Sequence, residues 1–289
     1  MVVLTVIEEE LSAVLEEFGA THEISGSGCW AREASDESMF PVIVTQCVDR
    51  SNLPAMESVR DLIEDWQPEY VLLVGIAGGI VRSKDGENLS GPSPGDVVLI
   101  EYVHYGEYVK RVDSQRLMRY YAVSHPSADL LHRHAKPLAR TEWFVDLPLA
   151  RPSGDHGGEP SLVAGEIVAV EFLAGDATAS EQREIFGQYD HALAVDMESA
   201  GVARAMDRAS NSVHYHPRWL GIRGVSDRTA ADEKAESLLV DNDAERTAWR
   251  DYAACAAARV ARLTVQRLLH DARPPQAEDQ GAPGWGVEQ

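Results

Sequence analysis

Basic residues are scarce in this chain: 26 Lys and Arg stand against 47 Asp and Glu in 289 residues, a formal charge of −21. A surface with that balance repels phosphate backbones and anionic lipid, which excludes nucleic acid and a membrane surface as partners held by a basic patch. Long apolar runs are missing too. No stretch reaches the roughly 20 apolar residues that cross a bilayer, and the opening MVVLTVIEEE carries no basic segment ahead of its short apolar run, so no export signal is expected. Cysteine is limited to Cys29, Cys47 and Cys255, an odd number without metal or redox spacing. That usage fits small core side chains in a reducing, cytoplasmic compartment. No Gly-Lys-Ser/Thr follows any glycine-rich stretch, so a P-loop is excluded.

What is present is ordinary globular material, 44% apolar and 25% charged, enough to bury a sizeable core. Short β-branched runs at residues 2–7, 41–45, 70–75, 96–103, 167–173, 192–195 and 219–225 read as strands. Helical spacing fills the gaps at 11–18, 55–66, 127–134, 181–186, 198–209 and 244–270. This alternation predicts an α/β fold, a central sheet between two helical layers, with ligands gathered at the carboxyl ends of its strands. Residues 83–95 and 147–160, rich in Gly, Pro and Ser, read as loops. Residues 1–270 are expected to form a single domain, and 271–289 a disordered tail of Pro, Gly, Gln and Asp.

Four places combine chemistry with strand ends. Glu8, Glu9 and Glu10 follow the first strand, where acids also favour a first helical turn through the helix dipole. Gly75-Ile76-Ala77-Gly78-Gly79 follows a buried strand and reads as a turn whose backbone can approach a ligand closely. In Asp196-Met197-Glu198-Ser199-Ala200-Gly201 a strand meets a helix; a carboxylate there can accept two hydrogen bonds from vicinal hydroxyls, and Met197 offers an apolar face beneath a sugar. Gly221-Ile222-Arg223-Gly224-Val225-Ser226-Asp227 is a strand ending in Ser-Asp, where burial can keep an acid protonated. Histidine pairs at 132/134 and 214/216 lack the spacing and the completing acid or thiol of a metal set, so no metal and no cofactor are expected. A cysteine nucleophile has no recognisable partner.

In this order the four features resemble the nucleoside phosphorylase and nucleosidase superfamily, closest in motif to the methylthioadenosine/S-adenosylhomocysteine nucleosidases. The resemblance spans residues 1–270 and includes Gly175-Asp176-Ala177, similar to the family's "S-G-D-A". It implies a three-layer α/β/α fold with a central mixed sheet, assembled as a homodimer or hexamer, cleaving the N-glycosidic bond of a purine nucleoside. It further implies that Glu10 activates water, Asp227 protonates the leaving purine, Glu198 binds the ribose hydroxyls and Met197 lies against the sugar. Gly75, Ile76, Ala77, Gly78, Asp176, Thr178, Asp196 and Ser226 complete the expected substrate site. Thr178 and Ala179 stand where the family carries its base-stacking aromatic, so Phe172, Tyr102 or Tyr105 is expected to cover the base.

Phosphorolytic relatives hold phosphate with arginines near the N-terminus and on the strand entering the glycine run. Here that strand is Tyr70-Val71-Leu72-Leu73-Val74 and the first basic residue is Arg32, which favours water over phosphate as acceptor. Residues 80–120 concentrate positive charge, and Arg82 or Arg111 is the expected contact for a 5′-phosphate should the substrate be a nucleotide such as AMP or ATP. The spacing Ser226-Asp227, Ala231-Asp232, Lys234, Trp249, Tyr252-Ala253-Ala254 and Ala256-Ala257 resembles nucleosidase domains of immune and antiphage effectors, which agrees with a nucleotide substrate. The same motifs would also suit a phosphorylase or a catalytically silent nucleoside-binding module; the presence of both Glu10 and Asp227 favours an enzyme.

Overall fold

A computed structural model describes residues 1–24, 26–31, 41–113, 115–121, 123–152, 158–173, 180–239 and 242–271. The expected substrate residues Asp176 and Thr178, and the expected tail after Asp271, lie outside the described residues. Among the described residues no helix is long and apolar enough to cross a membrane.

In chain order the elements are β1 (Val2–Thr5), α1 (Glu8–Phe18), β2 (His22–Ile24), β3 (Cys29–Ala31), β4 (Ile43–Gln46), α2 (Asn52–Trp66), β5 (Tyr70–Ser83), β6 (Leu89–Ser90), β7 (Val97–Tyr105), β8 (Val109–Val112) and β9 (Gln115–Met118). After a π turn (Leu130–Ala135) and a 3-10 turn (Lys136–Arg140) come β10 (Leu162–Ala169), α3 (Ser180–Phe186), β11 (Ala192–Asp196), α4 (Ser199–Ser210), β12 (Arg218–Ala230), α5 (Glu233–Glu236) and α6 (Asn242–Asp271). One mixed sheet takes the order β11-β10-β7-β12-β5-β1-β4-β3-β2, with β6 on β5; β8 and β9 form a separate hairpin. Pairs β1–β4, β1–β5, β5–β12, β7–β10 and β10–β11 are parallel, whereas β7–β12 and β5–β11 are antiparallel. The β5–β11 pairing closes β5, β12, β7, β10 and β11 into a ring, and the chemistry gathers where that ring closes.

The strands are apolar at nearly every position because both faces are covered, and successive side chains go to opposite layers. Leu72 and Val74 of β5 pack with α1 and α6, while Val71 and Leu73 join the core beneath α2 and α4. Helix α6 lies very close to β12: a Cβ on Gly224 would collide with the Ala253 carbonyl, so glycine on the strand and a run of alanines on the helix are both required.

Four expectations need correction. The glycine run is no turn; residues 75–80 continue β5 as one extended strand to Ser83. Its glycines answer close approach instead of a turn: a Cβ on Gly79 would stand 2.9 Å from the Pro92 carbonyl oxygen, and one on Gly75 would strike the Glu10 carboxylate. Likewise β12 does not end at Ser-Asp but runs on to Ala230, with a register shift between Val225 and Asp227 that leaves Ser226 as the extra residue of a bulge. The strand expected at 167–173 is β10, Leu162–Ala169, and the helix expected at 127–134 winds mostly as the π turn. The short strands β2, β3, β6, β8 and β9 carry too few residues for a periodic signal.

Candidate active site

Chain order brings the acids together by three different routes. Glu10 stands in the first turn of α1, and its side chain folds back over the β1–α1 junction. Oε2 accepts the amide N–H groups of Val6 (2.7 Å) and Ile7 (3.1 Å), and Oε1 accepts that of Ile76 on β5 (2.8 Å). Part of this is ordinary capping of exposed helix-start amides. The bond across to β5 is not, and it fits because Gly75 has no side chain. Asp196 ends β11 and Glu198 begins α4. Asp227 follows the β12 bulge, which re-aims its side chain.

Asp196, Glu198 and Glu10 meet a fully buried guanidinium. Arg223 of β12 is 0% exposed. Its Nε and Nη2 donate to Asp196 Oδ2 at 3.0 and 2.6 Å, and Nη2 also reaches Glu198 Oε2 at 3.1 Å. Asp196 is held in turn by the backbone N–H of Ser199 (3.2 Å) and by the Ser199 hydroxyl. Arg223 Nη1 has no hydrogen-bond partner among the described residues, and it would lie 2.7 Å from a Cβ on Gly75, on the side where Glu10 sits.

One cation among three buried acids is an unbalanced cluster, and Glu198 and Glu10 respond. Burial pushes Glu198 up to about 7, against the pull of Arg223. Glu10 is raised for the same reason, with Arg223 and its three backbone donors opposing. Burial alone would lower Arg223, but Asp196, Glu198 and Glu10 hold it charged. Asp227 is raised by burial in spite of Arg246, whose Nε and Nη2 lie 3.2 and 3.0 Å from its two oxygens. Ser226 Oγ donates to Asp227 Oδ1 at 2.6 Å. Perturbed acids gathered at one concave site are the usual mark of proton-transfer chemistry.

Asp196, Glu198 and Asp227 line a cavity of about 200 Å³ whose walls also include Ile76, Ala77, Gly78, Phe172, Met197 and Ser226, while Glu10 stands behind that wall. Val6, Ile7 and Ile76, the three residues whose amides Glu10 holds, also line it. Of the three aromatics expected over a base, Phe172 is on the wall; Tyr102 and Tyr105 line a different cavity, with Tyr105 against Tyr121. The expected phosphate contacts are elsewhere. Arg82 donates to the carbonyls of Tyr189 and Ala192 (3.0 Å to the latter), and Arg111, exposed, reaches Glu181 at 3.5 Å. Local crowding of positive charge in the sequence misdirected that expectation, because the chain around Arg82 runs behind the ring closure. In their place Arg50, Arg246 and Arg250 line the cavity. Residues 91–95 spell G-x-S-x-G, but Ser93 sits in the loop before β7, with its N–H on Asp96, and does not line the cavity. Arg223 was missed as a functional residue although a signal existed: an arginine in an otherwise apolar strand, flanked by Gly221 and Gly224. Arg246 and Arg250 carry no such signal, since arginines on a helix are ordinary.

The family model of the phosphorylase superfamily matches residues 2–266. The chain belongs to that superfamily. No curated protein sequence matches it. Among solved structures it is similar to the 5′-methylthioadenosine/S-adenosylhomocysteine nucleosidase of Neisseria meningitidis in complex with methylthio-immucillin-A, at 19% identity and TM-score 0.64 over 92% of this chain and 97% of the other. The corresponding nucleosidase of Colwellia psychrerythraea, in complex with adenine, gives 18% identity and TM-score 0.65 over 92% and 94%. Futalosine hydrolase of Helicobacter pylori gives 18% and 0.62 over 92% and 96%. At these identities the likeness establishes the shared fold of this superfamily member.

Proposed function

We propose that this superfamily member hydrolyses the N-glycosidic bond of a purine nucleoside of the methylthioadenosine or S-adenosylhomocysteine kind. The observation that carries the reading is that Glu198 and Asp227 line one cavity while Glu10 is bonded to the backbone of its wall at Val6, Ile7 and Ile76, with all three carboxyls raised by burial. Glu198 accepts hydrogen bonds from the two ribose hydroxyls, and Met197 lies against the sugar. Asp227 donates its proton to the purine as the C1′–N bond breaks and its electron pair leaves with the base. Water attacks C1′ and gives its proton to Glu10; Arg223 Nη1 is a donor suited to that water's oxygen. The sum is nucleoside plus water to free sugar plus free base. Each proton-transfer group is expected to contribute about 10² to 10⁴ in rate. Structural neighbours named for nucleosidase activity and for adenine or nucleoside-analogue complexes support the reading.

A second reading is favoured by one observation. Arg50, Arg246 and Arg250 on the cavity wall suit a substrate bearing a phosphoryl group, as a nucleotide nucleosidase would require. The test is chromatographic assay of base release from methylthioadenosine, S-adenosylhomocysteine, adenosine, inosine, AMP and ATP, with and without inorganic phosphate. Free base without phosphate, lost about 10² to 10⁴-fold in E10Q and in D227N, is the expected result. Strict phosphate dependence would make the protein a phosphorylase, and preference for AMP or ATP would select the second reading.

A further inference from the structure

Ser51, the residue before α2, has φ 95° and ψ 160°. That region of backbone space is essentially reserved for glycine, and a side chain there costs on the order of 1–3 kcal/mol unless its surroundings impose it. Among the described residues three other non-glycine residues have positive φ; Gln67, at 43° and 54°, occupies the ordinary left-handed helical region at the far end of α2. Strain of this type in a ligand-free corner would have no purpose, but Ser51 is adjacent to the site. Its backbone N–H donates to Glu198 Oε1 at 3.3 Å, on the oxygen that Arg223 does not hold.

Ser51 is tied to Glu171, which follows β10 between the cavity-lining residues Val170 and Phe172. Its Oε2 accepts the Ser51 hydroxyl. Its Oε1 accepts Asn52 Nδ2 at 3.0 Å and the Tyr105 hydroxyl at 2.8 Å. Asn52 extends the tie by donating to the Val170 carbonyl (3.2 Å) and accepting the Gly201 N–H of α4 (3.0 Å). Glycine at 201 is needed because a Cβ there would collide with the Asn52 carbonyl. A carboxylate on the protein surface thus receives three donors from β7 and the start of α2, and the helix start it fixes touches α4 just past Glu198.

We propose that Glu171 is a positioning residue, a latch that holds Ser51 in its strained conformation so that the Ser51 N–H aims the Glu198 carboxylate at the sugar hydroxyls. The inference rests on the nucleosidase reading of Glu198 and adds how that carboxylate is oriented. Two fixed donors, Arg223 on one oxygen and Ser51 on the other, leave the remaining lone pairs of Glu198 in one plane. That is the arrangement a pair of vicinal hydroxyls needs. With the latch open, Ser51 relaxes away from positive φ, its N–H swings off Oε1, and Glu198 rotates about Arg223 alone.

The test compares adenosine with 2′,3′-dideoxyadenosine for wild type, E171A, S51A and the double variant, by calorimetric binding and, for adenosine, by base release. The wild type should prefer the ribose compound. E171A and S51A should each lose roughly ten- to a hundredfold of that preference, as for one hydrogen bond to a charged group, appearing mainly in KM. Dideoxy binding should be unchanged, and the double variant should be no worse than E171A, since both open the same latch. Equal weakening for both compounds, or full ribose preference in E171A, would overturn the proposal by making Glu171 merely structural. Additive losses in the double variant would overturn it too. Wild-type ribose preference with no base release from adenosine, methylthioadenosine or S-adenosylhomocysteine would overturn the hydrolytic reading while the binding series still supports the latch; no wild-type ribose preference would overturn the latch itself.

Discussion

Two clusters that join arginine to glutamate, one half-buried between helices and one sealed, are built on opposite plans. On α1, Glu17 is met by Arg259 and Arg262 of α6, each Nε at 2.7 Å from a different carboxylate oxygen. Arg259 spends its remaining donors on the carbonyls of Val145 and Asp146, both at 2.8 Å. Two cations serve one anion, and both arginines still reach water. Around Arg223 the ratio is inverted: one sealed cation serves Asp196, Glu198 and Glu10, and one of its nitrogens is left without a partner among the described residues. The first cluster is electrostatically closed and clamps two helices. The second is left open toward a cavity and carries two acids, Glu10 and Glu198, that hold their protons unusually well. Desolvation is costly in either case, and only the open cluster retains lone pairs and a donor for something that binds.

The sharpest way to break the contrast is R223M. Removing the sealed cation leaves up to three buried carboxyls without their counter-charge, a loss of about 3–5 kcal/mol by analogy with other broken buried pairs. Thermal or urea unfolding reads it directly. An R223M protein as stable as wild type would mean the acids are already neutral, and the cluster would not be ionic at all.

Next in size is the pH response. Folding raises Glu198 from the ordinary 4.5 to about 7, so the folded chain holds that proton more tightly than the unfolded one. Stability from this group is therefore fully present below about 4.5, falls as pH rises toward 7, and is constant beyond. The melting temperature of E198Q, which cannot ionise, should accordingly gain on wild type across that interval. A constant difference between the two would refute the shifted titration. Base release should need ionised Glu10 and protonated Asp227, and so follow a bell-shaped pH profile.

The smallest effect belongs to the closed cluster. E17Q should cost about 1–3 kcal/mol, since Arg259 retains its two carbonyls and Arg262 its access to solvent. It should leave the pH profile of the reaction untouched. A shift in that profile would show that the α1–α6 clamp reaches the site through Glu10, seven residues earlier on the same helix.

Much of the site could be read before the fold was known. Glu10, Met197, Glu198, Ser226 and Asp227 stand in short segments whose acid and small-residue patterns are local, and each of these segments forms part of the cavity or its backing. The glycine run was legible as a place of close approach but not as a strand, because its extended path depends on β12 and β11 pairing along it from distant parts of the chain. Arg82 shows the opposite failure. It lies two residues beyond Ile80 in a basic stretch, yet the direction in which β5 leaves the ring turns it to the Tyr189 and Ala192 carbonyls.

The layered α/β plan is written in the chain itself, since apolar strand runs alternating with amphipathic helices can bury their surfaces in few other ways. So are the residue types available for the chemistry. Packing in three dimensions was needed to seal Arg223 among three acids, to line the cavity with Arg50, Arg246 and Arg250 instead of Arg82 and Arg111, and to hold Ser51 in a glycine-like conformation beside Glu198. These are matters of charge and distance between segments far apart in the chain; Ser51 and Glu198 alone are 147 residues apart. Periodicity records which face of an element is buried, whereas the partner a buried charge meets there is set by how the elements pack.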